Sequence, residues 1–97
     1  MTTPKQATEQ AAVSAVAASP LYHYSVTAQA EPATLPRVIE PFAKLGLAPV
    51  ALHAVTEGGR MSIDLRMAGL EDGMARHIAD RLRQMIGVEQ VLLASAG

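Results

Sequence analysis

Cysteine and tryptophan are both missing from this 97-residue chain. Without cysteine there are no disulfides, no thiolate catalysis and no cysteine-held metal, and the redox compartment stays undetermined. Aromatic side chains are nearly as scarce: Phe42, Tyr22 and Tyr24 are all there are, so the core has to be built from Leu, Val, Ile, Met and Ala. Charge of one sign is lacking too. Eight basic and nine acidic residues give a net charge of −1 and are spread along the chain, which leaves no footprint for nucleic acid or an anionic membrane. No apolar run approaches the roughly 20 residues that cross a bilayer, so a soluble protein is expected. An export signal built on Lys5 and Ala15-Val16-Ala17 is interrupted by Gln6, Thr8, Glu9 and Gln10, and the cytoplasm is the expected location.

About half of the residues are apolar, enough for one modest core and one domain. The chain divides near Pro20. Residues 1–20 are rich in Ala, Thr, Ser and Gln and read as a tail, disordered or, given the helix propensity of Gln6 to Ala18, a docked helix. Residues 21–97 form the domain. Tyr22, Tyr24, Val26 and Ala28 alternate with His23, Ser25 and Thr27, which predicts a strand with one buried face over 21–29. Glu31 to Ala33 is a turn. Leu35, Val38, Ile39, Phe42 and Leu45 then recur at helical spacing, with Thr34 as the expected N-cap and Gly46 at the stop. Pro41 inside this helix removes a hydrogen bond to Arg37 and should kink it.

A second strand is expected over about 48–56, and Glu57-Gly58-Gly59 reads as a hairpin connection. Behind it, Met61, Ile63, Leu65 and Met67 alternate with Arg60, Ser62, Asp64 and Arg66, so one sheet face is polar. A second helix over about 71–86 carries Met74, Ile78, Leu82 and Met85 on its apolar stripe and closes at Gly87; the last strand covers 88–94. The order βαββαβ predicts an α+β fold, the ferredoxin-like sandwich: a four-stranded antiparallel sheet with two helices on one face.

Many functions share that fold, and the residues decide among them. RNA recognition needs aromatics on the open sheet face, where the third strand offers Arg60, Ser62, Asp64 and Arg66. A metal chaperone needs a cysteine pair. His23, His53 and His77 fall on separate elements with no pair at ligand spacing, so no metal and no cofactor are expected. A transferase needs a nucleophile or an anion cradle, and the first loop has neither a glycine-rich run nor a base. No nucleophile–base pair is evident, which argues against an enzyme. A regulatory domain is what remains.

The run Glu31-Pro32-Ala33-Thr34-Leu35-Pro36-Arg37-Val38-Ile39, followed by Phe42-Ala43-Lys44-Leu45-Gly46-Leu47, resembles the ligand loop and first helix of ACT domains. It is similar in particular to the small regulatory subunit of acetolactate synthase, with counterparts for Leu35, Arg37, Val38, Phe42 and Gly46. Met61 to Leu65 and Leu82 to Val91 are similar to later elements of the same subunit, so the resemblance spans Tyr22 to Leu93. It implies a non-catalytic domain that forms a homodimer and modulates the catalytic subunit of acetolactate synthase in branched-chain amino-acid biosynthesis. It also implies a ligand or partner site at the first loop and helix N-terminus: Glu31, Pro32, Ala33, Thr34, Leu35 and Arg37. There the backbone N–H groups of Thr34, Leu35 and Arg37 would meet an amino-acid effector's carboxylate.

The chain departs from that pattern in three places. The loop glycine that admits an effector is Ala33, and the effector-holding asparagines are Ala30 and Ala48. These 97 residues also hold no counterpart of the family's common second domain, so a short, single-domain form is expected. The first loop therefore reads as a pairing or docking surface rather than a valine pocket. The alternative is a freestanding ACT-like homodimer that senses an amino acid or another small metabolite.

Overall fold

Tyr22, Tyr24, Val26 and Ala28 are buried along β1 (Leu21–Gln29) while their neighbours stay half-exposed, so the first strand shows the alternation its sequence carries. The computed structural model describes residues 20–96; the tail reading over 1–20 lies outside the described residues except for Pro20. After β1 come α1 (Thr34–Lys44), β2 (Ala51–Glu57), β3 (Arg60–Met67), α2 (Asp72–Arg83) and β4 (Val88–Ala96). The sheet is antiparallel in the order β2-β3-β1-β4, so the two strands with the cleanest alternation, β1 and β3, are its centre. This is the ferredoxin-like βαββαβ sandwich.

Both helices lie on the face that carries Tyr24, Ile63 and Leu65. From α1 come Val38, Pro41 and Phe42, and from α2 come Ala75, Ile78, Ala79 and Leu82, all buried. Tyr24 is the meeting point. Its ring packs edge-on against Phe42, with centroids 5.1 Å apart, and its Oη donates 2.8 Å to the Ala75 carbonyl. Burial pushes the Tyr24 phenol well up from its ordinary value, and burial and the nearby Asp72 carboxylate raise that of Tyr22.

Several details correct the sequence reading. Thr34 is not the N-cap of α1: Ala33 holds that place with no side-chain cap bond, and Thr34 opens the helix itself. The helix stops at Lys44 through a paired closure, Gly46 N–H to Ala43 O and Leu47 N–H to Phe42 O, with Gly46 at φ 75°. Leu45 thus falls past the helix end and is 45% exposed instead of on its buried stripe. Pro41 sits within the helix with its ring buried, exchanging one backbone hydrogen bond for apolar contact.

In α2 the expected stripe is buried at Ile78 and Leu82 but not at Met74. Ala75 and Ala79 face the sheet and Met74 is 41% exposed, because the approach of Tyr24 to the Ala75 carbonyl leaves room only for small side chains. The helix ends three residues earlier than expected, since Gln84 and Met85 bond back to Arg81 and Leu82 and tighten the last turn. β2 starts at Ala51 rather than about 48, beyond Pro49, which has no N–H to give a ladder.

Candidate functional site

The first loop is fastened at both ends by backbone and hydroxyl bonds. Gln29 N–H reaches Gly87 O at 2.8 Å and Ala30 N–H reaches Gly59 O at 3.0 Å, tying the end of β1 to the α2–β4 turn and the β2–β3 hairpin. Thr34 Oγ1 donates to Gln29 O at 2.7 Å and accepts from Glu31 N–H at 3.3 Å. The hydroxyl thus clasps the loop it follows. Two of the three backbone donors expected for a ligand are already used: Thr34 N–H bonds Glu31 O and Arg37 N–H bonds Ala33 O. Leu35 N–H alone of the three has no partner among the described residues.

The six residues of this region divide by exposure. Glu31, Pro32, Ala33 and Arg37 are exposed, Thr34 is half-buried, and Leu35 packs its side chain on the core. Ala33 has φ −86° and ψ −7°, an ordinary right-handed conformation that does not call for glycine. Beside the loop lies a shallow cleft of about 430 Å³ lined by Gln29, Ala30, Glu31, Gly58, Gly59, Arg60 and Glu89. Glu89 is the extra residue where the β1–β4 register shifts, and its carboxylate takes Arg60 Nε at 2.8 Å. With Arg60 so paired, the cleft presents a second carboxylate, Glu31, to whatever enters, which disfavours an anion there. Behind Thr34 and Arg37 the crevice against Met85 and Val88 is only about 10 Å³, room for no more than one water.

The two outer edges of the sheet differ, a contrast that hydrophobic patterning does not signal. Every residue of β2 is exposed, and Val50, Leu52 and Val55 stand 51%, 42% and 45% open. The β4 edge is guarded: Arg83 reaches from the end of α2, and its Nε and Nη2 donate to Val91 O at 3.3 and 3.0 Å. That carbonyl is occupied by a charged side chain, so an incoming strand finds one acceptor fewer. The pointer in the sequence was topological, because the second strand of a βαββαβ sheet lies at an edge.

On the open face, His23 Nε2 and Ser25 Oγ meet Asp64 Oδ1 at 3.0 and 3.1 Å. His53 and His77 are exposed on β2 and α2, and no three metal-ligating side chains cluster among the described residues. None of the helices described is long and apolar enough to cross a membrane.

The βαββαβ order and the fastened first loop define a small α+β module of the ferredoxin-like class, and comparison with known proteins gives its family. Residues 14–97 match the family model of the ACT-like domain, and the chain belongs to that family, a family of regulatory domains. Among solved structures it is similar to the ACT domain from GTP pyrophosphokinase of Chlorobium tepidum, at TM-score 0.66 and 14% identity, covering 76% of this chain and 96% of that one. The C-terminal domain of the MgtC protein from Mycobacterium tuberculosis is similar at TM-score 0.65 and 12% identity, covering 80% of this chain and 88% of that one. A formyltetrahydrofolate deformylase from Pseudomonas putida matches at TM-score 0.59 and 15% identity over 76% of this chain but 28% of its own length. At these identities the likeness is one of fold. No curated protein matches the chain significantly.

Proposed function

We propose that this chain is a non-catalytic regulatory domain that pairs with a second copy along the free edge of β2 and modulates a separate catalytic chain. The observation that carries the pairing is the contrast between edges: β2 is exposed on both faces with Leu52 and Val55 uncovered, whereas Arg83 occupies a carbonyl of β4. Antiparallel addition of β2 to its own copy pairs main-chain groups along the edge and sets those side chains beside their counterparts in the extended sheet. The catalytic chain proposed is an acetolactate synthase type subunit of branched-chain amino-acid biosynthesis. What supports it is the likeness of Glu31 to Leu47, Met61 to Leu65 and Leu82 to Val91 to that enzyme's small subunit.

In this reading Glu31, Pro32, Ala33 and Arg37, the exposed members of the first loop, meet protein rather than an anionic effector. The acidic cleft and the engaged Thr34 and Arg37 amides favour that choice. A metabolite-sensing homodimer is the second reading, favoured by the N–H of Leu35, which has no partner among the described residues.

Co-expression with an acetolactate synthase catalytic chain tests the partner. Co-purification and a change in its turnover are expected, and an unchanged catalytic chain that does not co-purify rejects that partner. A light-scattering mass of one chain at micromolar concentration rejects the pairing.

A further inference from the structure

At the end of the sheet away from the first loop, the open face carries a second cleft, of about 320 Å³, lined by His23, Ala51, Leu52, His53, Asp64 and Arg66. Strand register brings these residues together. Arg66 stands between His23 of β1 and Ala51 of β2, and Asp64 stands between Ser25 and His53. Asp64 and Arg66 are two residues apart on β3, so both side chains leave the same face from Cα atoms on the order of 7 Å apart.

These opposite charges do not pair with each other. Asp64 is held by His23 and Ser25, and both bonds fall on Oδ1. Its Oδ2 has no partner among the described residues, and Arg66 enters none of their ion pairs. An oriented carboxylate oxygen and an uncommitted guanidinium therefore border one cleft, whose volume is within the ~300–1,000 Å³ typical of small-ligand sites.

We infer that this cleft binds a small zwitterion of the size of a free α-amino acid, its carboxylate on the Arg66 guanidinium and its ammonium on Asp64 Oδ2. The planar fork of arginine suits a carboxylate, and the two bonds to Oδ1 hold Asp64 in place before the ligand arrives. An anion alone would face Asp64 and a cation alone would face Arg66; a molecule bearing both charges on neighbouring atoms satisfies the pair. His53, opposite Asp64, adds a third polar group, and the methyl of Ala51 leaves space over the strand. The site is separate from the first loop, since His23 and Gln29 are six strand residues apart, about 20 Å. It does not rest on pairing through β2, which leaves the open face uncovered.

Titration calorimetry on the full chain with each of the twenty standard amino acids tests the inference. At least one is expected to bind once per chain. Arg66→Gln, Asp64→Asn, or removal of the ligand's amine or carboxylate should each weaken binding about tenfold or more, the loss of one charge-assisted bond. Ala33→Leu in the first loop should leave binding unchanged. Amide shifts on binding should centre on residues 51–53 and 64–66. Because Arg66 is exposed and without an ion pair, its variant keeps the fold and decides the matter even where Asp64→Asn does not fold. The proposal is overturned by no binding up to millimolar concentrations, by binding that survives Arg66→Gln, or by shifts at these residues that follow protein concentration and not ligand. That last result assigns the face to a second copy. A negative titration leaves the β2 pairing intact, because light scattering reads it separately.

Discussion

Tyr24 joins three parts of the molecule through one side chain: β1 by its backbone, α1 by its ring on Phe42 and α2 by its hydroxyl on Ala75. Replacing it with Phe keeps the ring and deletes the bond, so Tyr24→Phe should lower stability by about 1 kcal/mol. For a domain of this size that is a fall in Tm of roughly 4–8 °C in a thermal melt. The raised phenol also sets an alkaline limit. Because the folded state holds the neutral form above the ordinary value of 10.0, the stability it contributes is full below that value and is lost as pH rises through the raised folded value. Urea midpoints should be level from pH 7 to about 9 and fall above 10, with a smaller fall in Tyr24→Phe. At this scale the sequence was legible for buried side chains and less so for hydroxyls. Thr34 has the right type for a cap, yet its oxygen turns back to Gln29 O, and where that carbonyl lies depends on how β1 ends.

Elements were read best where one face meets the core. The alternation of β1 and β3 matches their burial because both strands are central and packed under the helices. The stripe of α2 was legible at Ile78 and Leu82 and not at Ala75 and Ala79, because periodicity counts large apolar side chains. β2 has no face that burial could mark. The glycines that end or open helices give a paired test. Gly46 has φ 75° with nothing near an added Cβ, so Gly46→Ala should destabilise by about 1–2 kcal/mol through backbone strain alone. Gly73, inside α2 without a positive φ and with equally open space, should respond in the opposite direction. Gly73→Ala is expected to stabilise by about 0.4–1 kcal/mol. Denaturant melts of the two variants side by side check both signs.

For the whole molecule, the βαββαβ order was legible from pattern and turn residues, and it implied which strands lie outside. Which of them is left unguarded was not, since the clasp of Arg83 on Val91 O is a contact between side chain and backbone with no periodicity. If β2 is the pairing edge, a lysine on each of its faces should prevent pairing without unfolding the chain, because both positions are exposed. Ala54→Lys with Val55→Lys is expected to halve the light-scattering mass while circular dichroism stays unchanged. The Arg83 clasp then has a bearing on how large the assembly becomes. With one receptive side per chain, association ends at two, since each partner consumes the other's only vacancy and a third copy has nowhere to attach. Arg83→Ala gives every chain two such sides, and growth then has no natural end. At raised concentration that variant should form species heavier than a pair, seen as a light-scattering mass that climbs with loading, where the unaltered chain reaches a plateau.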